Sequence, residues 1–172
     1  IAAITAQTSG DLVLVGSSMG GWMALLSMLA LPERVKGMVL IAPAPDFTEK
    51  LMWPEFDEAA KVQIMEKGQH LRPSDYGDPY PITRALIEDG KTWSILDKPI
   101  KFDGPVRILQ GMQDPDVPWQ HAEKLVTAMT SQDLVFQLIK DGDHRLSRPQ
   151  DIARLKATCA EIAIAVKGEA GA

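Results

Sequence analysis

The stretch Val15 to Gly21, "VGSSMGG", sets Ser17 and Ser18 among glycines at the junction of a short apolar run, Leu12 to Val15, and a helix-like run from Trp22. Within it, Gly16-Ser17-Ser18-Met19-Gly20 has the spacing G-x-S-x-G between a strand and a helix. In that context the chain turns sharply and holds Ser18 with its hydroxyl exposed above the strand's end, where it can act as a nucleophile. Gly16 and Gly20 are read as removing Cβ atoms that would collide as strand and helix fold back on each other. The same turn leaves the Met19 backbone N–H at the helix start, placed to donate to an oxyanion. The competing reading is a glycine-rich turn without chemistry, because such a pattern is a hypothesis until its context agrees. Phosphate binding is disfavoured: there is neither G-x-x-x-x-G-K-[ST] nor G-x-G-x-x-G, and no lysine follows the loop.

A serine hydroxyl is a weak nucleophile until a base takes its proton and a third group orients that base. His70 falls in a proline-rich middle segment and His121 in the first turn of a helix, where a polar residue needs no special account. His144 lies in "KDGDHRLSRP" after the last predicted strand, at the carboxyl edge of the sheet, where ligands and catalytic groups gather in open α/β sheets. For the acid, "LQGMQDPDVPW" offers Asp114 and Asp116, both soon after the preceding strand. Solvation in an Asp-Pro turn accounts for either. Spacing alone does not separate them. The chain order serine, acid, histidine favours a catalytic reading over a bystander histidine.

These residues need elements to hold them. The sequence reads as a helix tail (Ile1 to Thr8), strand (Leu12 to Val15), helix (Trp22 to Leu31) and strand (Gly37 to Ile41). It continues with strand (Val106 to Gln110), helix (Gln120 to Met129), strand (Leu134 to Ile139) and a helix from Pro149. The first two strands are continuous apolar runs, as in parallel sheets buried on both faces. In the last helix Ile152, Leu155, Cys159, Ile162 and Val166 form one apolar stripe. The alternation predicts an α/β fold with helices covering a mainly parallel sheet. Residues 46–99 interrupt it with several prolines, a predicted helix from Glu55 to Lys67 ended by Gly68, and a short one around Ile82 to Glu88. So long an interruption reads as a cap inserted into a core of residues 1–45 and 100–172.

The 172 residues suit one domain with an insertion. The net charge of −5 arises from interspersed residues with no basic stripe, which argues against nucleic acid as a partner. Cys159 is the only cysteine, so an internal disulfide and a clustered thiolate zinc site are both excluded, and a reducing cytoplasm is the expected compartment. No apolar run approaches the ~20 residues that span a bilayer. The first residues carry no basic, cleavable leader pattern.

Taken in order, "VGSSMGG", "GMQDPDVP" and "DGDHRLS" resemble the three active-site segments of α/β-hydrolase-fold serine esterases. The nearer resemblance is to bacterial relatives of the mitochondrial acyl-glucuronide esterase and depalmitoylating thioesterase of that superfamily, through a G-S-S-x-G-G-W elbow, a G-M-x-D-x-x-V-P-W segment and a D-H-R loop. This resemblance implies an α/β-hydrolase fold and a serine hydrolase acting on a small-molecule ester or thioester. It implies Ser18 as nucleophile, His144 as base and Asp114 as acid, with Asp116 as the fallback. Neither metal nor organic cofactor is implied. Trp22, Met52, Trp53, Phe56 and Trp93 are candidates for an acyl pocket, against the plainer reading that they pack the cap and core. The resemblance also implies strands ahead of the nucleophile and a second oxyanion donor from them. Either a missing N-terminal segment or a partner chain in an oligomer is expected to complete the sheet, and residues 1–172 alone are expected to be poorly active and unstable. A binding protein of this fold without catalysis, or a serine peptidase, are the alternatives.

Overall fold

The computed structural model describes residues 7–74 and 77–169. Most of the helix read over residues 1–8 therefore lies outside the described residues, and Gln7 and Thr8 are not helical. Packing divides the chain into two compact units, residues 1–45 with 96–172 and residues 46–95.

In chain order the elements are strand β1 (Leu12–Ser17), helix α1 (Met19–Ala30), strand β2 (Val35–Ile41), a π-helical turn (Thr48–Met52) and helices α2 (Trp53–Glu55) and α3 (Glu58–Lys67). Strands β3 (Gln69–Ser74) and β4 (Gly77–Thr83), helix α4 (Arg84–Thr92), strand β5 (Val106–Gly111), helix α5 (Trp119–Ala128), strand β6 (Leu134–Ile139) and helix α6 (Pro149–Glu169) follow.

The first unit is built on a parallel sheet of order β1-β2-β5-β6. Because the strands advance in one direction, right-handed crossovers put α1 and α5 on the same face. Helix α6 covers the other, joining Ile162 and Val166 to Val39, Ile41, Leu109, Ile139 and Leu146 in one buried cluster. Gly37 permits this approach, since a Cβ there would meet Ile162 Cγ2 at 2.9 Å. Leu155 and Cys159 flank the cluster, whereas Ile152, read as part of the same stripe, is exposed in the first turn of the helix.

Two-sided burial holds for β2 and β5, whose residues are almost all buried. It does not hold for β1. Among the described residues β1 pairs only with β2, and Val15 is 54% exposed. An apolar run alone cannot distinguish a central strand from an edge strand, because the difference lies in which strands pair with it.

The register aligns the strand ends: Ser17 pairs with Ile41, Ile41 with Leu109, and Gly111 with Ile139. The ladder continues one step further through Ser18 N–H to Ile41 O (2.8 Å), Ala42 N–H to Leu109 O (2.9 Å) and Met112 N–H to Ile139 O (2.9 Å). Ser18, the loop carrying Asp114 and the loop carrying His144 thus all leave from one carboxyl edge. Strained backbone gathers there too, with left-handed φ at Ser18 (53°), Ala42 (43°) and Leu146 (45°).

The second unit has its own small core of Phe56, Ala60, Ile64 and Ile82, flanked by Met52, Trp53 and Ile87. The helix expected from Glu55 to Lys67 is interrupted. Phe56 is extended, and the Asp57 carboxylate caps α3 by accepting from Ala60 N–H at 2.7 Å. Gly68, with φ 87°, ends α3 as the sequence suggested. The sequence reading did not include the hairpin β3–β4, whose strands carry Pro73, Pro79 and Pro81. A two-stranded ribbon leaves an outward edge on each strand, where a missing N–H costs no ladder bond. The helix expected around Ile82 to Glu88 runs instead from Arg84 to Thr92, because Thr83 is extended and caps it through Leu86 N–H at 3.1 Å.

Candidate active site

Ser18 joins β1 directly to α1, with φ 53° and ψ −122°. Two close approaches make this turn possible. A Cβ on Gly16 would collide with the Gly20 carbonyl, and one on Gly21 would meet Pro43 Cβ at 2.9 Å. The expected role of Gly20 is corrected: beyond its own helix backbone, no atom of the described residues lies within 4 Å of where its Cβ would stand. Gly20 brings its carbonyl against Gly16, and the helix's tight packing falls to Gly21. Ser18 O accepts from Gly21 N–H (2.9 Å) and Ala44 N–H (3.1 Å), tying the turn to the segment after β2. Met19 is the first residue of α1, so its N–H belongs to the helix-end donors that have no acceptor within the helix.

The other two loops are locked together. A Cβ on Gly111 would collide with Gly142 O, and one on Gly142 would stand 3.0 Å from Gly111 Cα. Gln113 N–H donates to Gly142 O at 2.9 Å across the same contact. Within the second loop the Asp143 carboxylate accepts from Leu146 N–H (2.8 Å), and the Leu146 side chain is buried, which fixes the segment carrying His144.

These constraints bring three side chains into line. His144 Nδ1 lies 2.8 Å from Asp114 Oδ2, and His144 Nε2 lies 3.1 Å from Ser18 Oγ. A carboxylate can only accept, so Nδ1 carries the proton, and Nε2 is left to accept from the serine hydroxyl. Asp114 Oδ1 accepts from the backbone N–H groups of Asp116 and Val117, each at 2.9 Å, while Oδ2 also accepts from Gln110 Nε2 at 3.0 Å. The carboxylate is fully buried and fourfold satisfied. Asp116, which spacing left level with Asp114, instead exposes its side chain and contributes its N–H.

Burial pushes the Asp114 carboxyl up, but the His144 hydrogen bond and the Val117 N–H outweigh it and hold it below the usual carboxylate range. The hydrogen bond to Asp114 raises the His144 imidazole above its ordinary value against the opposing effect of burial, helped by the charges of Asp114, Asp116 and Asp143. Ligand atoms of Asp114, Asp116 and His144 also lie within 4.8 Å of one another. Asp114 and His144 already bond to each other there, so a cation held by all three would have to displace that bond.

His70 and His121 are engaged elsewhere. His70 Nδ1 meets Gln63 Oε1 at 2.9 Å and stacks edge-on to Phe56, and buried His121 donates through Nε2 to Pro45 O at 2.7 Å. Of the pocket candidates, Trp22 is 3% exposed on α1. Met52, Trp53 and Phe56 belong to the core of the second unit, where Trp53 and Phe56 are edge-to-face at 6.4 Å. Trp93 is 54% exposed, with its Nε1 donating to Asp89 at 3.3 Å. The sequence reading used Gly111 only as the motif glycine ahead of Asp114 and did not single out Gln110 or Gly142, although a glycine ahead of His144 was a readable signal.

A hydroxyl, an imidazole and a buried carboxylate joined in this order can remove a serine's proton as the oxygen attacks an acyl carbon, and return it to a leaving group. Among known proteins, the mouse mitochondrial palmitoyl-protein thioesterase ABHD10 is 34% identical over 151 residues, which are 87% of this chain and 50% of that protein. The chain therefore spans about half the length of this relative. A crystal structure from Agrobacterium vitis S4 superposes with TM-score 0.89 at 45% identity, covering 94% of this chain and 64% of the other. Mouse alpha/beta hydrolase domain-containing protein 10 superposes with TM-score 0.80 at 32% identity, over 91% of this chain and 63% of its own. The sheet, its crossovers and these superpositions are those of the α/β-hydrolase fold. Residues 3–161 match the prolyl oligopeptidase family, and the chain belongs to that family.

Proposed function

We propose that the protein is a serine hydrolase that cleaves carboxylic ester or thioester bonds through an acyl-enzyme. The observation that carries this reading is the continuous hydrogen-bonded chain from Ser18 Oγ through His144 to Asp114. Ser18 Oγ attacks the acyl carbon while its proton passes to His144 Nε2. The charged imidazole is stabilised by Asp114, and the Met19 N–H donates to the developing oxyanion. Collapse of the tetrahedral intermediate breaks the bond to the leaving alcohol or thiol, which takes the proton from His144. Water then enters by the same route, releasing the acid and restoring Ser18.

Thioesters are favoured over peptides by the relatives of 32–34% identity that are named palmitoyl-protein thioesterases. The family's name keeps a peptidase as the second reading.

The test is hydrolysis of p-nitrophenyl esters from acetate to palmitate, an acyl thioester and a peptide p-nitroanilide, each beside Ser18→Ala. Ester or thioester turnover that vanishes in the mutant supports the proposal, and the chain-length optimum sizes the pocket. Turnover of the anilide alone selects the peptidase. A folded protein that hydrolyses none and resists a fluorophosphonate overturns the hydrolase reading.

A further inference from the structure

We infer that Gln110 is a positioning residue of this site, its side-chain amide holding Asp114 Oδ2 as a charged, oriented acceptor for His144. This rests on reading Ser18, His144 and Asp114 as a hydrolase relay. Gln110 is the next-to-last residue of β5, directly before the glycine that packs against the His144 loop, and it is fully buried. Its Nε2 lies 3.0 Å from Asp114 Oδ2, 2.9 Å from Val117 O and 3.2 Å from Gly111 O. All three neighbours are acceptors, so the amide can face them only with its N–H groups.

Those contacts span the acid loop from its first residue to its last turn before α5. The bond to Oδ2 falls on the oxygen that also meets His144 Nδ1. Gln110 therefore stops the carboxylate from rotating and takes part of its negative charge without adding any. The opposite end of the amide, Oε1, is buried and has no partner among the described residues. A methionine of similar size would avoid that penalty. Retaining a glutamine here makes physical sense if the donor end is what the site requires.

Other charges that raise His144 are those of Asp116 from the acid loop and Asp143 from its own loop, and Arg145 follows it in the chain. A Gln110 substitution leaves all three in place. Replacing Gln110 by methionine keeps the volume and removes the donor, so Oδ2 directs more of its charge at the imidazolium.

The experiment follows His144 by proton NMR across pH in a Ser18→Ala background, with His144→Gln assigning the signal, and measures kcat and KM in otherwise wild-type protein. Gln110→Met is expected to move the His144 titration to higher pH and lower kcat by about 10- to 100-fold with little change in KM. Gln110→Glu is expected to restore the wild-type titration, because a carboxyl beside the Asp114 charge keeps its proton and donates it where the amide did. An unmoved His144 titration in folded Gln110→Met overturns the inference. If Gln110→Met does not keep its fold by circular dichroism, Gln110→Glu decides: a wild-type titration supports the inference and a displaced one overturns it. The NMR titration needs no turnover, so a failed hydrolase reading stays distinguishable from a failed role for Gln110.

Discussion

His144 Nδ1 and Asp114 Oδ2 stand 2.8 Å apart although 30 residues separate them in the chain. The contact depends on Gly111 and Gly142, whose backbones touch at the base of the two loops. A buried carboxylate that receives four hydrogen bonds keeps its charge, and an imidazole held by it has one nitrogen left to face Ser18.

Removing the proposed nucleophile should remove the proposed activity while sparing the fold. Ser18→Ala is expected to lower kcat for a p-nitrophenyl ester by at least about 10⁵-fold, with an unchanged circular dichroism spectrum. Fluorophosphonate labelling should disappear with it. Labelling that persists would place the reactive hydroxyl elsewhere, with Ser17 the first to examine.

The two aspartates should separate cleanly. Asp114→Asn turns an obligate acceptor into a group that can present an N–H to His144, and is expected to cost about 10⁴-fold in kcat. Asp116→Asn keeps the backbone N–H that Asp114 accepts, and should retain most of the activity. Equal losses in the two variants would contradict this division of roles.

The pH profile should carry the electrostatics. With His144 as the proposed base, and the Asp114 hydrogen bond raising its imidazole above the ordinary value of 6.5, kcat/KM should climb with pH through a midpoint above 6.5. The Asp116 charge contributes to that elevation, so Asp116→Asn should move the midpoint down. A wild-type midpoint at or below 6.5, read from kcat/KM between mild acid and mild base, would contradict the arrangement.

The glycines of the turn should respond unequally. Gly16→Ala forces a methyl against the Gly20 carbonyl and is expected to destabilise by about 1–3 kcal/mol and to displace Ser18. Gly20→Ala has open space and a helical position, and should stabilise by up to about 1 kcal/mol. Urea midpoints of the two variants measure the difference, and a reversed order would refute the account of the turn.

What was legible in the sequence was local. Apolar runs marked the four strands of the parallel sheet, a periodic stripe marked α6, and Pro149, Gly68 and the "VGSSMGG" spacing marked where elements begin, end and turn. These features depend on backbone sterics and on burial along a single segment, which a chain carries in its own order of residues. The three side chains that now meet were readable as candidates for the same reason, each following a strand.

The tertiary structure decided what depends on neighbours distant in the chain. Asp114 and Asp116 have equal claims by spacing; two backbone N–H groups, Gln110 and His144 all converge on Asp114. Gly20 and Gly21 look alike in sequence, and only the position of Pro43 shows which of them lacks room for a Cβ. The apolar runs of β1 and β2 read alike, and only the pairing shows that, among the described residues, β2 has a strand on both sides. Burial, hydrogen-bond partners and steric clearance are properties of pairs brought together by folding, so a single residue's type and place in the chain cannot contain them.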